Sequence, residues 1–104
     1  MSIKYVTMGL ISKVDKGSYS NIVLNDAFRE FHLTAKEKAF ITEIFYGVLR
    51  NKNFLDYMIE KNTKVIKKEW IRNLLRISIY QLTFMSSDAK GVVWKQLKLL
   101  KSME

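Results

Sequence analysis

The chain contains no cysteine and no proline, and it has one histidine and four glycines among 104 residues. Without cysteine there can be no disulfide, no thiolate metal site and no cysteine nucleophile. A single histidine cannot provide the multi-histidine sets that hold zinc, so no metal site is expected. With no proline and few glycines, long uninterrupted helices are favoured over a turn-rich sandwich or barrel. The glycines at 9, 17, 47 and 91 are scattered, which leaves no glycine-rich loop to cradle a nucleotide or S-adenosylmethionine, and no cofactor is expected. No segment reaches the roughly 18 consecutive apolar residues that span a bilayer. Met1 to Leu10 also lacks a basic flank followed by a signal-type apolar block, so a cytoplasmic location without membrane contact is expected.

What is present is an apolar content of 48%, enough for one continuous core in a chain too short for two ordinary domains. The expectation is one all-α domain over residues 1–104. Formal charge is +8 and unevenly placed. Residues 1–60 hold eight Lys/Arg against seven Asp/Glu, whereas residues 61–104 hold ten against three, giving +1 and +7. Lysine and arginine at phosphates release condensed counterions, so this asymmetry points to a polyanion-facing surface. A basic surface that merely keeps the chain soluble is the alternative.

Apolar spacing predicts about six helices. The first covers Ile3–Val14, with Ile3, Val6, Leu10 and Val14 on one side and Lys4 and Lys13 off that stripe. Gly17 ends it, and Ser20 or Asn21 caps a second helix that stops near His32. Thr34-Ala35-Lys36-Glu37 reads as a capping box that opens a third, central helix. Gly47 inside that helix costs about 1 kcal/mol relative to alanine, so another helix should approach closely there. Asn53 is expected to cap a short helix from Phe54 to about Lys61, followed by a long helix from about Lys68 to Met85. A last helix is expected over about Ala89–Ser102, with lysines at 95, 98 and 101 forming a charged strip.

No enzyme site emerges from the side chains. Glu37, Glu43 and Asp56 fall on different helices and read as capping, ion-pair or surface groups, and His32 sits near a helix end where a polar contact explains it. Phe40, Phe45, Trp70 and Phe84 lie in apolar helices and read as core. Tyr19 and Trp94 can either stack on an exposed base or pack against the protein. Arg72 and Arg76, four apart on one helix face, repel unless an anion or acidic side chain lies between them, and Glu69 could satisfy Arg72. Arg50 and Lys52 close the third helix, where positive charge also suits the helix dipole. Lys64, Lys67, Lys68, Lys95, Lys98 and Lys101 form the best phosphate-contacting group. The candidate nucleic-acid contacts are therefore Lys4, Arg50, Lys52, Lys64, Lys67, Lys68, Arg72, Arg76, Trp94, Lys95, Lys98 and Lys101.

Three segments in order, Gly17-Ser18-Tyr19-Ser20-Asn21, Ala39 through Arg50 leading to Leu55-Asp56-Tyr57, and Leu75-Arg76 with Tyr80-Gln81-Leu82, resemble the NusB-like domain family. The resemblance runs from Ile3 to about Lys101. Within that family it is greatest to the N-terminal domain of bacterial small-subunit rRNA cytosine-5 methyltransferases, called RsmB, Sun or Fmu. It implies a helical domain that engages rRNA beside a separate catalytic domain, so that any S-adenosylmethionine-dependent methyl transfer belongs to the parent protein. The end of the chain departs from the family pattern, with Ser87-Asp88-Ala89 and Val93-Trp94-Lys95-Gln96 where a proline-containing turn and a Val-Asn-Glu-Ala-like helix start are usual. The family's final helix is expected to be missing, which would expose an apolar groove and favour self-association. Two other functions stay open: a free-standing NusB-like antitermination factor or adaptor that binds a ribosomal protein, and a DNA-binding domain. Against the last, no recognition helix follows a short helix-turn-helix loop.

Overall fold

The first helix, α1 (Ile3–Asp15), buries Val6, Thr7, Leu10 and Ile11, a stripe that recurs every three or four residues on one face. The protein is described by a computed structural model over residues 3–85. Four further helices follow: α2 (Ser20–Glu30), α3 (Ala35–Arg50), α4 (Lys52–Asn62) and α5 (Glu69–Phe84). All secondary structure among the described residues is helical, as composition predicts. The sixth expected helix, about Ala89–Ser102, lies outside the described residues.

Gly17 ends α1 as expected, with φ at 107°, a left-handed conformation that side chains resist. Its N–H reaches the Val14 carbonyl at 2.9 Å and that of Ser18 reaches Lys13 at 3.0 Å, which helps satisfy the last carbonyls of the helix. The capping box at α3 is also as expected: Glu37 N–H donates to Thr34 Oγ1 at 3.1 Å, and Thr34 N–H donates to Glu37 Oε1 at 2.9 Å. The Thr34 backbone N–H, and then the Thr34 side chain, hold the Glu37 carboxyl below its ordinary pKa.

Three boundaries differ from the expectation. Tyr19, not Ser20 or Asn21, is the N-cap of α2 and makes no side-chain capping bond, and α2 stops at Glu30 rather than near His32. No connector ending at Asn53 separates α3 from α4. Asn51 alone joins them: its backbone N–H reaches the Gly47 and Val48 carbonyls, and its side-chain Nδ2 donates to Gly47 O at 2.8 Å. Having closed α3 in this way, Asn51 is also the N-cap of α4, so Asn53 lies inside that helix.

The core sits where α1 meets α2, α3 and α5. Ile11, Ile41, Phe45, Val48, Leu55 and Ile77 are fully buried in it. Each such side chain contributes about 1.5–3 kcal/mol relative to exposure. A smaller cluster, Ile59, Ile66, Ile71 and Leu75, lies between α4 and the start of α5. Because α5 belongs to both clusters and contacts α1, α3 and α4, it is buried on nearly every side. The close approach expected at Gly47 comes from Tyr80 of α5: a Cβ at Gly47 would lie 2.1 Å from Tyr80 Cζ.

Candidate nucleic-acid interface

The long helix carries its two arginines inward, not outward. Arg76 is 5% exposed, and its guanidinium meets carboxylates from two other helices. Its Nε donates to Asp56 Oδ1 at 2.7 Å and Nη2 donates to Asp56 Oδ2 at 2.9 Å, a two-pronged bond to one carboxylate. Nη1 donates to Asp15 Oδ2 and to Asn73 Oδ1, both at 2.9 Å. Burial works against the charge of Arg76, but the bonds from Asp56 and Asp15 outweigh it and raise its pKa further. The partner that α5 needs between its arginines is thus Asp56 of α4. Arg72 Nη1 lies 3.7 Å from the same carboxylate, and Glu69 instead accepts a hydrogen bond from Ser12.

Lys52 pairs with the other carboxylate, Asp15. Burial pushes the Asp15 carboxyl up, but the hydrogen bonds from Lys52 and Arg76 hold it below its ordinary value of 3.8. A depressed folded-state pKa means that Asp15 stabilises the fold above that ordinary value, and that this contribution is lost as pH falls through the folded pKa. Melting between pH 7 and pH 3 should therefore show stability falling in the acid limb. Asp15→Asn should melt lower at pH 7 and show a shallower acid decline, and an unchanged decline would remove Asp15 from the account.

These ion pairs sort the expected contact residues. Lys52, Arg72 and Arg76 are matched by carboxylates, with Arg76 inside the fold. Arg50 at the end of α3, and Lys64, Lys67 and Lys68 on the connector from α4 to α5, are exposed. None of those four forms an ion pair among the described residues. Lys4 is half-buried on α1, and burial lowers its ammonium pKa. Trp94, Lys95, Lys98 and Lys101 lie outside the described residues. Tyr19 turns its ring to solvent at 75% exposure, away from the core.

Two aromatics expected in the core are not there: Trp70 is 46% exposed and Phe84 is 49% exposed, on the first and last turns of α5. Trp70 borders a groove of about 490 Å³ between α1 and the start of α5, which Tyr5, Gly9, Ser12, Lys68 and Glu69 also line. Neither the charge asymmetry nor the apolar periodicity of the sequence reveals this groove. The available signal was Gly9, a glycine in the middle of a helix. Among the described residues no set of three His, Cys, Asp or Glu side chains could hold a metal ion.

Comparison with known proteins places the fold in a lineage, since all of residues 1–104 match the family described as NusB. The chain belongs to the NusB family. It is similar to a protein of Bacillus subtilis named probable ribosomal RNA small subunit methyltransferase B, with 34% identity over 89 residues, covering 81% of this chain and 20% of that protein. It is also similar to the protein of the same name from Synechocystis sp., with 29% identity over 73 residues, covering 67% of this chain and 16% of that one. The match falls on their N-terminal region, so this NusB domain spans a fifth or less of the relatives' length. No solved structure matches the chain at a significant level.

Proposed function

We propose that these residues form a non-catalytic RNA-binding domain that helps engage rRNA, the counterpart of the N-terminal region of an rRNA small-subunit methyltransferase. On this reading it acts in the cytoplasm, and methyl transfer is carried out by a separate catalytic domain. Membership of the NusB family supports the reading, together with the relatives' names. The observation that carries it to particular residues is the run Lys64, Lys67 and Lys68, three exposed cations on one connector with no carboxylate partner among the described residues. Arg50, Lys4 and the lysines at 95, 98 and 101 extend the contact set, with Trp94 as a further stacking candidate. Lys52, Arg72 and Arg76 serve the fold first.

A labelled rRNA hairpin titrated at several salt concentrations should bind with log affinity falling linearly in log salt, at a slope of about 0.7–0.9 per phosphate neutralised. Changing Lys64, Lys67 and Lys68 together to alanine should weaken binding across all sequences and flatten that slope by up to about three phosphates' worth. Absence of binding at low salt would overturn the RNA reading. In that case, capture of a purified ribosomal protein after nuclease treatment would favour the adaptor role.

A further inference from the structure

We propose that the groove between α1 and α5 takes an unpaired RNA base, stacked on Trp70 and followed by its phosphates along Lys68, Lys67 and Lys64. This rests on the RNA-binding reading above and assigns a subsite to it.

Two glycines, Gly9 and Gly47, lie inside helices. Each forgoes about 1 kcal/mol relative to alanine. At Gly47 the reason is on the protein itself, because Tyr80 occupies the space a side chain would need. At Gly9 nothing among the described residues lies within 4 Å of where a Cβ would stand. No atom of the described residues uses the space that Gly9 leaves, and Gly9 lines the groove.

The walls of the groove have the chemistry of a nucleobase site. Trp70 leaves 46% of its surface in water, and Tyr5, with 75% exposed, lines the same groove. Every base has a π-face, so an exposed indole is a platform for any of them. Asn73 also lines it and is 1% exposed; its Oδ1 accepts from Arg76, and among the described residues the one hydrogen bond its Nδ2 makes is a 3.5 Å contact to the Met8 carbonyl. A bond that long is at the outer limit, which leaves the amide able to donate to a base oxygen or ring nitrogen. The Glu69 carboxylate in the same groove can accept from an exocyclic amino group. Amide and carboxylate suit base edges, while Lys68 at the groove and Lys67 and Lys64 beyond it suit phosphates. An acidic peptide would meet the lysines, but its carboxylate side chains present no π-face to Trp70 and would be repelled by Glu69. A duplex keeps its base faces stacked and cannot enter.

The test uses the full chain, a short labelled single-stranded RNA, and the same sequence fully paired. Gly9→Leu projects into the groove from a position where a Cβ meets no atom of the described residues, and it should melt no lower than the native chain, since leucine is the better helix former. Trp70→Ala removes the platform. Each should weaken single-strand binding at least about fivefold, the effect of losing one stacked base, while leaving duplex binding as it was. A single strand carrying 5-iodouridine should crosslink to Trp70. If folded Gly9→Leu and Trp70→Ala chains bind single strands as tightly as the native chain, the groove assignment is overturned and the RNA reading stands. If the native chain binds neither RNA at low salt, both fall. If polyglutamate binds as well as RNA and is equally sensitive to Gly9→Leu, an acidic peptide is the occupant instead.

Discussion

Asp56→Ala should destabilise the chain by about 3–5 kcal/mol, because it strands a buried guanidinium. The Arg76 side chain is only 6% exposed, and Asp56 accepts both its Nε and its Nη2, leaving Asp15 as the remaining carboxylate after the change. Arg76→Met should cost less than Asp56→Ala. It removes the buried charge altogether, and the carboxylates it leaves behind are 22% and 26% exposed, so water can reach them. Lys52 and Arg72 also stay beside them. Urea melts of both variants decide the matter. If Arg76→Met proves the more damaging, the strength lies in the guanidinium's packing and not in the burial of an unmatched charge.

Gly47→Ala should destabilise by about 1–3 kcal/mol, even though alanine is the better helix former. The added methyl would stand 2.1 Å from Tyr80 Cζ and 2.3 Å from its hydroxyl oxygen, well inside contact distance. The ring has little room to retreat. Tyr80 is 6% exposed, and its ring stacks on Phe84 at 5.2 Å between centroids. The sign should reverse once the ring is gone. In a Tyr80→Leu background, Gly47→Ala should be neutral or stabilising by up to about 1 kcal/mol, since only the helix preference then remains. A double-mutant cycle by chemical denaturation measures this, and additive losses would mean that Tyr80 is not the cause.

Features that depend on neighbours in sequence were legible without coordinates. The capping box at Thr34 and Glu37 needs three residues of context, and the close approach at Gly47 follows from the cost of a glycine inside an apolar helix. The need for an acid between Arg72 and Arg76 was legible too, but its identity was not. Glu69 is the local candidate, whereas the acid that serves is Asp56, 20 residues from Arg76. Asp15, 61 residues away, was equally invisible. For the same reason Lys52, Arg72 and Arg76 read as phosphate contacts: nothing in a charge count says which cations the fold will neutralise. Trp70 reads as core because apolar residues surround it in sequence, whereas its place on the first turn of α5 puts it at the edge of a groove. Tyr19 in turn shows that a position can cap a helix by backbone geometry alone, which no side-chain preference reveals.

Between α4 and α5 Thr63 bonds back to the Ile59 carbonyl, and beyond it Ile66 is the buried anchor. Ile66 is 8% exposed in the smaller apolar cluster, while its neighbour Val65 is 84% exposed and the lysines on either side face water. The main chain of this basic stretch is therefore already positioned before any polyanion arrives. On the proposed RNA-binding reading, meeting a phosphate strand would immobilise lysine side chains and little of the main chain, so the ordering penalty of association would fall mainly on rotamers. One isoleucine thus sets where three ammonium groups stand.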